Sequence, residues 1–165
     1  MTVELRVELE TLDYSDLQEA LFNGKPFTGV AYSKDGSEID AITYEVTFVD
    51  GIENGPYKSW YSTGELQAEG SRNWGAEDSR YLRYFVDGRI NMDAVYYRGR
   101  TLVEKIYNEQ GVLVKKYEGD FSLTGTSIEY FPSGKEKLKM YKEFGILVRK
   151  VEWDETGNVI NEYKL

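Results

Sequence analysis

Residues 54–75 read NGPYKSWYSTGELQAEGSRNWG. The stretch parses as a strand, a tight turn at Ser62-Thr63-Gly64, a second strand, and a further turn at Trp74-Gly75. Its first turn glycine is one of a series: Gly36, Gly64, Gly88, Gly111, Gly134 and Gly157, at intervals of 28, 24, 23, 23 and 23 residues. Four residues before each stands an aromatic: Tyr32, Trp60, Tyr84, Tyr107, Tyr130 and Trp153. Six hits in six exceed what an aromatic content of 15% gives by chance. A fixed period in this range marks a repeat architecture.

A second glycine series falls 12 or 13 residues before the first: Gly24, Gly51, Gly75, Gly99 and Gly145, with Ser122 breaking the set. The chain therefore turns every 11 to 15 residues. Strands of roughly eight residues fit between the turns, about 27 Å each. No apolar stripe of helical period survives between them, and strands joined by tight turns pair antiparallel. The prediction is an all-β chain, a β-meander of repeated hairpins with a period of about 23 residues. A sheet this wide curls or splits into two packed layers. The spacing predicts one packed face carrying the six aromatics together with positions such as Leu66, Ala94, Leu113, Tyr117, Met140 and Tyr163. The long interval between Gly36 and Gly64 predicts a longer, protruding hairpin near Tyr44 to Gly51.

The N-terminus differs. Residues 3–10, VELRVELE, alternate apolar and polar and predict a half-buried strand, followed by an acidic connector. Ser15 and Gln18 have the spacing of a helix capping box, but Asn23-Gly24 is a hairpin signal in register with the glycine series. Leu17–Phe22 is therefore expected as a strand. No linker divides the chain, so residues 1–165 form one domain, with 1–19 outside the repeats.

Composition narrows the chemistry. With no cysteine and no histidine there is no disulfide framework, and the commonest general base and metal ligand are missing. No phosphate-cradling loop, nucleophile elbow or metal-ligand cluster appears. A binding protein rather than an enzyme is expected, with no catalytic, cofactor or metal site. No signal peptide or membrane-length apolar run is visible, so a cytoplasmic location is expected. The net charge of −9 is asymmetric. Residues 1–55 carry 12 acidic and three basic side chains, whereas 56–165 carry 17 of each sign. That balance disfavours nucleic acid and anionic membrane as partners.

The stretches Gly24 to Tyr32 (GKPFTGVAY), Gly55 to Leu66 (GPYKSWYSTGEL) and, more weakly, Leu123 to Gly134 (LTGTSIEYFPSG) resemble the MORN-repeat variant of the YwqK family of bacterial antitoxins. The resemblance spans roughly residues 20–165. It implies a β-hairpin array and a cytoplasmic antitoxin or immunity protein that neutralises a toxin by binding it.

Joined to that resemblance, the acidic first third has a functional reading. An acidic inhibitor complements a basic partner, such as a nuclease toxin, and gains steered association. The candidate partner-binding residues are Asp13, Asp16, Glu19, Asp35, Glu38, Asp40, Tyr44, Glu45, Phe48, Asp50 and Glu53, with Tyr44 and Phe48 as aromatic anchors. Two further readings stand beside it: a scaffolding MORN-like repeat, and a glycan-binding or glycan-acting β protein. The plain reading of the acidic excess is a solvated face. The sequence leaves the oligomeric state open.

Overall fold

The computed structural model describes residues 5–36 and 40–165. Their strands, in chain order, are β1 (Arg6–Glu8), β2 (Asp13–Tyr14), β3 (Ala20–Phe22), β4 (Lys25–Pro26), β5 (Gly29–Lys34), β6 (Ile42–Val49), β7 (Ile52–Trp60), β8 (Leu66–Asn73), β9 (Ala76–Tyr84), β10 (Ile90–Tyr97), β11 (Arg100–Tyr107), β12 (Leu113–Gly119), β13 (Gly125–Tyr130), β14 (Glu136–Glu143), β15 (Ile146–Trp153) and β16 (Val159–Lys164). One open 13-stranded sheet runs β1-β5-β6 and then in sequence order to β16. A second sheet, β2-β3-β4, has three short strands. The all-β meander is as the glycine spacing predicts, and the wide sheet stays single and unclosed. The exception to its antiparallel run is β1, which lies parallel to β5.

Two kinds of turn alternate along the chain. The second glycine series makes two-residue turns. Their central pairs are Asn23-Gly24, Asp50-Gly51, Trp74-Gly75, Arg98-Gly99 and Phe144-Gly145, with φ between 49° and 81° at both residues. That is the type I′ geometry, whose twist matches the flanking strands. The first series makes wider turns. In one, Gly64 N–H donates to Tyr61 O and Tyr61 N–H to Glu65 O, both at 2.9 Å. The turns opening at Phe85, Asn108, Phe131 and Asp154 repeat this pattern. The turn opening at Asp120, where the glycine series breaks, is of the same wide kind with Leu123 at φ 64° in the glycine's place. Asp120 Oδ1 holds it by accepting from Ser122 N–H and Thr124 N–H.

A bulge follows each of the five later aromatics. Ser59 faces Ala68 but Trp60 faces Leu66, leaving Gln67 extra, and the same shift recurs at Tyr84, Tyr107, Tyr130 and Trp153. A bulge inserts one residue into a period-two pattern and so exchanges the faces beyond it. The expected single packed face is thereby corrected. Leu82 lies opposite Asp93, whereas Ala94 lies opposite Tyr81 and Glu104. The aromatic ladder thus occupies one face, and Ala68, Met92 and Ala94 the other.

The main core sits on that second face and only at its N-terminal end. It consists of Val7, Leu12, Ala20, Phe27, Ala31, Val46, Phe48 and Tyr57. The small sheet covers it, with Phe27 between Phe22 and Phe48 at ring-centroid distances of 6.1 and 5.7 Å. The six ladder aromatics are half-buried, with none in this core.

Three N-terminal expectations change. The strand expected over residues 3–10 is observed over Arg6–Glu8, and Met1–Glu4 lie outside the described residues. Leu9–Thr11 form a single 3₁₀ turn that carries the chain off the sheet edge and seats Leu12 in the core. The strand expected over Leu17–Phe22 begins at Ala20. Ser15–Glu19 instead make a wide turn, with Gln18 at φ 64° and Glu19 N–H donating to Ser15 Oγ. Finally, Tyr44 to Gly51 are not a protrusion, because they form most of β6 and a tight turn under the small sheet. The additional length lies in the connection from β5 to β6, where Asp35 N–H reaches Ala41 O.

Candidate acidic surface

The excess acid gathers around the small sheet at one end of the long one. Hydrogen bonds bind the two together: Ala20 N–H donates to Gly51 O, and Gly51 N–H to Phe27 O, both at 2.8 Å. The tip Asp50-Gly51 is thus held against β3, and Thr28 Oγ1 accepts from Asp50 N–H at 2.9 Å.

The candidate residues divide by what they touch. Glu45 pairs with Arg6, and Glu53 with Arg72. Asp40 and Glu8 both hold Lys34, at 2.5 and 2.9 Å. Those two carboxylates raise the Lys34 ammonium above its ordinary value. Asp35 also lies on the β5–β6 connection, and Glu38 falls outside the described residues. By contrast, no cation among the described residues pairs with Glu10, Asp13, Asp16, Glu19 or Asp50. Asp13, Asp16 and Asp50 are exposed and Glu19 half-buried.

The expected aromatic anchors are corrected as well. Phe48 is 3% exposed in the middle of the core, so no partner reaches it in the folded chain. Tyr44 is half-buried against the same core, and burial raises its hydroxyl pKa. The exposed apolar groups of this end include Tyr14 and Leu17, at 55% and 80% exposure, beside Leu5 at the sheet edge. Tyr14 and Leu17 alternate in sequence with Asp13 and Asp16. For Leu17 the sequence signal is present: an apolar residue inside a turn has nowhere to bury. The strand expected over Leu17–Phe22 concealed it.

Where the small sheet ends, a polar cluster closes the core. Tyr57 lies across from Gly70, donates its hydroxyl to both Glu77 carboxylate oxygens at 3.0 and 2.9 Å, and carries the Arg72 guanidinium 5.0 Å from its ring centroid. Burial first, and then Glu77, drive the Tyr57 hydroxyl pKa well up. The ladder face is crossed by ion pairs instead: Lys58–Glu69 at 3.7 Å, Arg80–Asp93 at 3.0 Å, Lys116–Glu118 at 2.8 Å and Arg149–Glu162 at 3.1 Å. Among the described residues no group of three or more Asp or Glu side chains is arranged to hold a metal ion, and no helix is long and apolar enough to cross a membrane.

No family model matches this chain, and no curated protein matches it. Among solved structures it is similar to a chain in the crystal structure of the GtfA/B complex bound to UDP and GlcNAc. The match has 10% identity and a TM-score of 0.30, and it covers 68% of this chain but 22% of that one. At that score it bears on neither fold nor function.

Proposed function

We propose that this chain is a binding protein, an antitoxin or immunity protein in the sense its repeats resemble, that inhibits a basic protein toxin through the small-sheet end. One observation carries the reading. Asp13, Tyr14, Asp16 and Leu17 form an exposed patch of alternating acid and apolar groups whose carboxylates pair with no cation among the described residues. Opposite charge steers the partner in, and an apolar side chain among charges provides the anchor that slows its departure.

The test is binding to a basic toxin-class protein encoded beside this chain's gene. Wild type is expected to bind it and to protect cells that express it. The triple variant Asp13→Lys, Asp16→Lys, Asp50→Lys is expected to associate about tenfold or more slowly at low salt, with the difference shrinking as salt rises. Leu17→Ala is expected to raise the dissociation rate instead. An unchanged association rate for the triple variant reduces the acidic excess to solvation. A second reading, a stacking surface for glycans, rests on a recess of the ladder face lined by Tyr141, Trp153, Lys139 and Glu136. Oligosaccharide titration followed by Trp fluorescence, with Trp153→Ala as control, tests it.

A further inference from the structure

The two edges of the long sheet are unlike. At one, β1 has three residues, and the 3₁₀ turn Leu9–Thr11 then removes the chain from the edge. At the other, β16 has six exposed residues and no proline. Its irregularity lies at Ile160, where the register shifts, so the run from Asn161 to Lys164 is straight. A straight open edge is a template for another strand.

The hydrogen-bond direction along this run is fixed. Leu165 N–H donates to Val148 O at 2.9 Å. Antiparallel pairs alternate between bonded and non-bonded. Tyr163 and Asn161 therefore bond inward to β15, and the backbone groups of Glu162 and Lys164 point out to the open edge. Any added strand must bond to those two residues.

We propose that the occupant of this edge is β16 of a second copy, paired antiparallel with Tyr163 on the twofold axis. In that register Glu162 of each copy lies directly opposite Lys164 of the other. Each of these two pairs exchanges both of its outward backbone hydrogen bonds and sets opposite charges face to face. The neighbouring register puts Glu162 against Glu162, which like-charge repulsion disfavours. A C2 contact of this kind is self-complementary and closed, so it stops at two copies. Charge at larger scale agrees. The 12-to-three acidic excess lies before residue 56, at the opposite end of the strand order, so two copies meet at their charge-balanced ends. The contact is short against the roughly 800 Å² per partner of stable complexes, so association depends on concentration.

Sedimentation equilibrium over a concentration series tests this. Wild type is expected to double in mass from 19.0 kDa as concentration rises. Lys164→Glu brings four carboxylates together across the contact and is expected to remain at 19.0 kDa. The exchange Glu162→Lys with Lys164→Glu restores opposite charges in the same register, and the doubling is expected to return. Glu162→Pro removes an N–H that β15 does not use, and is expected to abolish the doubling while circular dichroism stays unchanged. Wild type at monomer mass throughout overturns the proposal. So does a dimer indifferent to Lys164→Glu and Glu162→Pro, or a charge exchange that fails to restore one.

Discussion

Tyr57 shows how much a single position joins. Its ring fills the space that Gly70 leaves, since a Cβ there would stand 2.9 to 3.0 Å from the Tyr57 hydroxyl and ring. Gly70→Ala is expected to cost on the order of 1–3 kcal/mol by crowding that ring. Tyr57→Phe keeps the ring but withdraws the donor from Glu77, and is expected to cost about 1.5–3 kcal/mol, the scale of a hydrogen bond to a charged group. Urea denaturation measures both. At the other end of the chain, Asp154 accepts from Thr156 Oγ1 and from the backbone N–H groups of Thr156, Gly157 and Asn158. Those donors lower its pKa from 3.8 to about 2. A depressed carboxylate stabilises above its unfolded value and loses that contribution as pH falls. Wild type is therefore expected to exceed Asp154→Ala in stability above about pH 4, with the gap closing towards pH 2. A Tm series for both proteins checks it.

At the scale of the hairpin, the turns were legible in the sequence because their backbone requires glycine. Each I′ tip holds a glycine at a left-handed φ, where glycine bears no steric cost, so every I′ tip advertised itself. Two wide turns lack the glycine, at Gln18 and Leu123, and there a residue with a side chain takes the left-handed φ. Leu123→Gly is expected to raise stability by about 1 kcal/mol, read as a shift in denaturation midpoint. The faces were less legible. The bulges after Trp60, Tyr84, Tyr107, Tyr130 and Trp153 fall on Gln67, Asn91, Val114, Lys137 and Ile160. Those five residues share no side-chain chemistry, so nothing in the sequence announces the change of face. The acidic end was legible as charge but not as contacts. Pairs such as Glu45 with Arg6 and Glu53 with Arg72 come from strands distant in sequence, and only the register brings them together.

For the molecule as a whole, the main core is confined to the end bearing the small sheet, and the remaining strands rest largely on their neighbours. Stability in such an array is a sum of local terms. Amides of β5 to β7 are expected to exchange with solvent more than about tenfold more slowly than those of β14 to β16, as hydrogen–deuterium exchange would read. The strand order carries a mechanical consequence. With β1 and β16 at opposite edges and the strands between in sequence order, tension applied through these two strands loads one ladder at a time. Its hydrogen bonds open in succession like a zipper, rather than shearing together. An optical trap would record a low-force sawtooth beginning at β16. Each 23-residue unit would release on the order of 80 Å of contour, and the trace would end on a stiffer event when the small sheet lets go.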